Sequence, residues 1–124
     1  MRQKIITILV LVWVLSIGAK PLDFEDAGYQ KMYATAYILQ GTTASGGTTR
    51  PGICACNPHL GDVAIVYTLD GNYLGMYECT DTGGTDGLKN GTVIDIWRTN
   101  MTQAENFMRI TGGQVYVKWI EGDG

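Results

Sequence analysis

The stretch from Asp81 to Trp97, D-T-G-G-T-D-G-L-K-N-G-T-V-I-D-I-W, sets three aspartates around four glycines and ends in an apolar segment. Asp95 is the residue out of place. It sits between Ile94 and Ile96, two residues before Trp97, in a composition typical of a strand, where aspartate is disfavoured. A carboxyl group set among apolar side chains resists ionisation, and a second carboxylate nearby strengthens that resistance. With Asp81 as the neighbour, Asp95 is expected to point from a strand into a pocket and to give and take a proton near neutral pH. Cleavage of a glycosidic bond needs such an acid. Each residue also has a plainer use: Asp81 as an Asx-turn closing the D-T-G-G loop, and Asp95 as a structural residue.

Other groups carry less. Cys54, Cys56 and Cys79 are an odd number, so one disulfide leaves one thiol, and Cys79 pairs with either Cys54 or Cys56. A zinc site with His59 as fourth ligand, or a cysteine nucleophile with His59 as base, has no trustworthy spacing here. Asp62, Asp70 and Asp86 fall at a strand start, a turn and a loop, with no D-x-D-x-D-G pattern, so neither metal nor cofactor is expected.

The elements that must position these groups are mostly strands. Tyr33 to Leu39 reads as the first, ended by Gly41. Gln40 to Gly52 is a long Gly, Thr and Ser loop with Arg50-Pro51, of a length that in a compact domain points to function. Ile53 to Cys56 is a short strand stopped by Asn57-Pro58. Asp62 to Leu69 and Tyr73 to Thr80 form a hairpin about Asp70-Gly71-Asn72. After the Asp81 to Gly91 loop come the strand Thr92 to Trp97 and a helix capped by Thr99 or Asn100 that runs to about Arg109. Thr111-Gly112-Gly113 ends the helix. Gln114 to Ile120 alternates as the last strand. The sum is a mainly β domain of six strands with one short helix, consistent with a closed barrel.

The 124 residues bound one domain. Residues 1–19 have the Arg2 and Lys4 charges, the apolar run Ile5 to Ile17 and the small-residue end of a secretory signal peptide. Cleavage is expected after Gly18 or Ala19, the run being too short to span a bilayer comfortably, so no stable membrane insertion follows. Residues 20–32 read as a leader or linker, and residues 33–121 as the folded domain. The net charge is -3, and no basic patch appears, which argues against nucleic acid. An exported monomer acting at the cell envelope on a neutral or amino sugar polymer fits better.

Several pieces together resemble a known family. A-T-A-Y (Ala34 to Tyr37), T-A-S-G (Thr43 to Gly46), G-I-C-A-C-N-P (Gly52 to Pro58), D-T-G-G (Asp81 to Gly84), K-N-G-T-V-I-D-I-W (Lys89 to Trp97) and V-Y-V (Val115 to Val117) occur in the order of the three-aspartate, or 3D, domain. That family includes the catalytic part of membrane-bound lytic transglycosylase A and the stationary-phase survival proteins of Gram-positive bacteria. The resemblance implies a six-stranded double-psi β-barrel and cleavage of peptidoglycan glycan strands. It implies Asp95 as the catalytic acid and base, with Asp81 supporting it. Asn57 stands where the family has its first aspartate, so it offers a hydrogen bond but no charge. Tyr37, Thr43, Lys89 and Trp97 are candidate sugar contacts, each with a plainer use as core, loop bond or solvated charge. The reaction read from this resemblance is lytic transglycosylation. The alternatives are a non-catalytic glycan-binding module on the same barrel and a hydrolase that admits water.

Overall fold

The computed structural model describes residues 23–82 and 85–121. The expected signal peptide, the start of the leader, Gly83 and Gly84 of the D-T-G-G motif, and residues 122–124 lie outside the described residues. Six strands, β1 (Gln30–Tyr37), β2 (Ile53–Ala55), β3 (Val63–Thr68), β4 (Tyr73–Asp81), β5 (Val93–Trp97) and β6 (Gln114–Ile120), close into one barrel in the order β1-β5-β2-β4-β3-β6. The pairs β1 with β5 and β2 with β4 are parallel, and the other four are antiparallel.

Period-two alternation explains the core. Met32 and Ala34 of β1, Ala64 and Val66 of β3, Ile94 and Ile96 of β5, and Val115 and Val117 of β6 all turn inward and are buried together. The intervening residues form the outer face, and the candidate site lies there. The hairpin between β3 and β4 closes where expected, with Thr68 N–H donating to the Asn72 carbonyl at 2.8 Å.

Among the described residues two helices accompany the barrel, one more than expected. The short α1 (Asp86–Lys89) falls inside the glycine-rich loop. A Cβ added to Gly87 would collide with Val93 Cγ2, so glycine is what lets this turn lie directly against β5. The Gly87 carbonyl accepts from Thr92 N–H at 2.9 Å. The longer α2 (Met101–Thr111) is capped by Asn100, whose side chain accepts from Gln103 N–H at 2.9 Å. It stops at Gly112, which takes the left-handed conformation at φ 63°. Phe107 of α2 joins the core, with the Arg98 guanidinium 5.6 Å from its ring centre.

The ordered structure begins earlier than Tyr33. Strand β1 starts at Gln30, and residues Asp23 to Gly28 form turns in which Asp23 Oδ1 accepts from Glu25 N–H at 3.1 Å. Phe24 is buried and stacks on Tyr116, with ring centres 4.7 Å apart. Tyr29 adds an edge contact to Tyr67, and the two rings dock the segment on the barrel.

Cys56 and Cys79 form a disulfide with Cα atoms 5.9 Å apart, and Cys54 is a buried free thiol. The bond ties the end of β2 to β4. By loop closure it contributes about 3 kcal/mol.

Candidate active site

Strand β5 places Asp95 between two neighbours, Thr35 on β1 and Ala55 on β2. Ile94 and Ile96 point into the barrel, so Asp95 emerges on the outer face, half-buried. The apolar residues beside it in sequence are therefore not its surroundings in space. Those come from the same outer face, where Tyr37 and Trp97 are register partners one step further along. Thr35 Oγ1 donates to Asp95 Oδ1 at 2.8 Å. Among the described residues Oδ2 has no hydrogen-bond partner. Burial raises the Asp95 pKa above the ordinary aspartate value, the Thr35 bond opposes the rise, and the charge of Asp81 adds to it.

Asp81 ends β4, and its register partner is also Ala55. The two carboxylates thus flank one small residue across two strand spacings, with Cα atoms about 10 Å apart. Asp81 Oδ1 accepts from Thr82 N–H at 3.0 Å and from Ala44 N–H at 3.2 Å. The first bond is to the next residue of the chain, and the second anchors the long loop; the N–H that the expected Asx-turn would use, at Gly83, lies outside the described residues. That loop is a small hairpin with a bridge between Thr42 and Thr48. It docks beside the site, with Ser45 N–H donating to the Thr80 carbonyl at 3.0 Å.

Tyr37 is the third member of the group. Its hydroxyl is buried and has no partner among the described residues. Its pKa lies far above the ordinary phenol value because of burial, followed by the charges of Asp81 and Asp95. A phenol that feels both carboxylates and bonds to neither is a donor in want of an acceptor.

The remaining candidates take other places. Thr43 is buried, its hydroxyl 3.0 Å from Ser45 Oγ and 3.3 Å from the Gly47 carbonyl, so it holds the hairpin together. Trp97 is 5% exposed, and its indole N–H donates to the Leu39 carbonyl at 3.0 Å. It fastens the chain leaving β1 and offers little face to a ligand. Asn57 is a clamp: Nδ2 donates to the Lys89 carbonyl at 2.9 Å, and Oδ1 accepts from His59 N–H at 3.0 Å. Asn57 and Lys89 line a pocket of about 200 Å³ together with His59, Thr82 and Leu88. The exposed Lys89 amine has no ion-pair partner among the described residues. This pocket joins the carboxylates through Cys56, whose N–H donates to the Asp81 carbonyl at 3.0 Å.

The cysteine chemistries do not assemble. Cys56 and Cys79 are bonded to each other, and burial, with the charges of Asp95 and Glu78, pushes the Cys54 thiol up to about 12. A thiol so placed is no nucleophile near neutral pH. Among the described residues no group of three or more His, Cys, Asp or Glu is placed to hold a metal, and no helix is long and apolar enough to cross a membrane.

Two participants escaped sequence reasoning, Thr35 and Ala44. Thr35 stands two residues before Tyr37 in the A-T-A-Y motif, and that spacing was the available signal, since i and i+2 share a strand face. Ala44 acts through its backbone, which no residue type announces. Comparison with family models, curated proteins and solved structures returns no match to this chain.

Proposed function

We propose that this protein is an exported peptidoglycan-lytic enzyme of the 3D type, a lytic transglycosylase built on a double-psi β-barrel. The barrel reading is supported by a closed six-strand order containing two parallel pairings. The observation that carries the function is Asp95, a half-buried carboxyl on the outer face whose proton affinity is raised, with Asp81 and the unpartnered Tyr37 hydroxyl beside it.

In the proposed reaction Asp95 gives its proton from Oδ2 to the oxygen linking N-acetylmuramic acid to N-acetylglucosamine, and that C–O bond breaks. The resulting carboxylate then takes the proton from the muramic C6 hydroxyl as its oxygen bonds to the anomeric carbon. The product is a 1,6-anhydro ring, no water is consumed, and Asp95 ends protonated as it began. Thr35 orients the carboxyl through Oδ1. Tyr37 supplies a hydrogen bond to the sugar. Asp81 sustains the proton on Asp95 and ties the long loop to the site.

A glycan-binding module on the same barrel is the second reading, and Asn57 favours it. Both ends of its amide are engaged with backbone groups, so the position of the first family aspartate supplies no charge and has half of its hydrogen-bonding capacity committed to the fold. Digestion of purified peptidoglycan separates the two readings. The lytic reading expects anhydro-muropeptides from the parent protein and a loss of at least about 100-fold in D95N. Reducing ends without anhydro rings would instead mark a hydrolase, and binding without turnover would mark the module.

A further inference from the structure

Beside the docked hairpin lies a second recess, of about 390 Å³, lined by Thr43, Ser45, Gly47, Thr48, Arg50, Glu78 and Thr80. All but Gly47 bear a hydroxyl or a charge, and no apolar side chain lines the recess. Two features mark it as a site for a polar ligand. Thr80 is 7% exposed, and its Oγ1 has no hydrogen-bond partner among the described residues. A buried hydroxyl left unpaired is a cost that a hydrogen-bonding occupant removes. At the same recess Arg50 and Glu78 form an ion pair of 2.8 Å with both side chains about half exposed.

That pair is poised to change partners. An exposed pair is worth little by itself. Among the described residues only one guanidinium nitrogen of Arg50 is engaged and only Oε2 of Glu78, leaving donors and an acceptor side by side. Adjacent opposite charges with spare bonding capacity suit a ligand carrying a carboxylate for Arg50 and an ammonium for Glu78. The recess also shares a wall with the carboxylates. Thr80 precedes Asp81 in β4, and neighbouring loop residues bind both: Ser45 N–H reaches the Thr80 carbonyl and Ala44 N–H reaches Asp81 Oδ1.

We infer that this recess is a peptide subsite, resting on the peptidoglycan reading, and that it takes the stem attached to the muramyl residue at the cleaved bond. Such a stem is a short peptide with free carboxylates and a free amine. The muramyl lactyl ether that bears it lies close to the glycosidic bond Asp95 would break.

Titration of the protein with a soluble N-acetylmuramyl stem peptide, followed by amide chemical shifts, tests this. A control peptide has its carboxylates amidated and its amine acetylated. The expected result is shift changes at Thr43 to Arg50 and at Glu78 to Thr80. Affinity should fall about tenfold or more for the blocked peptide and for R50A and E78A. Equal binding of the free and blocked peptides, or unchanged binding in both R50A and E78A, would overturn the inference. Cleavage separates it from the reading beneath it. Stem binding without glycan cleavage sustains the recess and removes the lytic function. Equal cleavage of stem-free and stem-bearing strands removes the recess and sustains the function.

Discussion

On the flank of the barrel formed by β3 and β6, the outer face carries Tyr67 and Tyr116 as register partners. On the flank formed by β1 and β5, the outer-face partners are Thr35 and Asp95. The first flank is finished. Phe24 lies stacked on Tyr116, Tyr29 and Tyr67 close around it with ring centres 5.2 Å away, and Tyr73 packs on Tyr67 at 5.3 Å. The second leaves a buried phenol without a partner among the described residues and a carboxyl group whose ionisation is opposed. Both are outer strand pairs of one barrel, and the difference is what chemistry needs: stability is gathered on one side, and unsatisfied polarity is held on the other.

Substitutions on each flank should therefore fail differently. Phe24→Ala removes the ring that docks the N-terminal turn and should cost about 3 kcal/mol, read as a lower denaturant midpoint, with glycan cleavage intact under folding conditions. Tyr37→Phe should do the reverse, cutting cleavage about tenfold, or 1.4 kcal/mol, while leaving thermal stability equal or higher because an unpaired buried hydroxyl is gone. A stability loss in Tyr37→Phe as large as that in Phe24→Ala would erase the distinction. Asn57→Asp puts an aspartate at the position of the first 3D aspartate but sets a carboxylate oxygen against the Lys89 carbonyl. It should cost about 1 kcal/mol in denaturation, so matching the pattern that the chain resembles would weaken this fold.

A smaller effect follows from proton linkage at Asp95. Its raised folded pKa means that the native state binds the proton more tightly than the unfolded chain. Stability is therefore lost as pH rises from the unfolded value through the folded one, and the deficit is complete above both. Asp95→Asn should raise Tm by a few degrees at neutral pH. The gain should vanish below about pH 3.9, where the ordinary carboxyl is neutral as well. A gain independent of pH would assign the effect to packing.

Much of the barrel was legible because alternation is local. Val63 to Thr80 and Gln114 to Ile120 announce themselves within a few residues, as does the turn at Asp70. Register is not local. That Thr35 stands beside Asp95, sixty residues on, or that Ala55 is the common neighbour of both carboxylates, follows only when parallel strands are aligned across the closure. The direction of Asp95 needs no register, since an aspartate between two core isoleucines must face away from the core they share. The single-turn helix Asp86–Lys89 is too short to show a period. The docking of residues 23–29 rests on Phe24 and Tyr29, whose partners Tyr116 and Tyr67 lie far along the chain.

The central claim is that the barrel holds a proton on Asp95 with the help of Asp81, and a carboxyl-carbon NMR titration tests it most directly. Asp95 should titrate above the ordinary aspartate value of about 3.9, and its midpoint should move down when Asp81 becomes asparagine. A midpoint at or below that value, or one that Asp81→Asn leaves in place, would contradict the account.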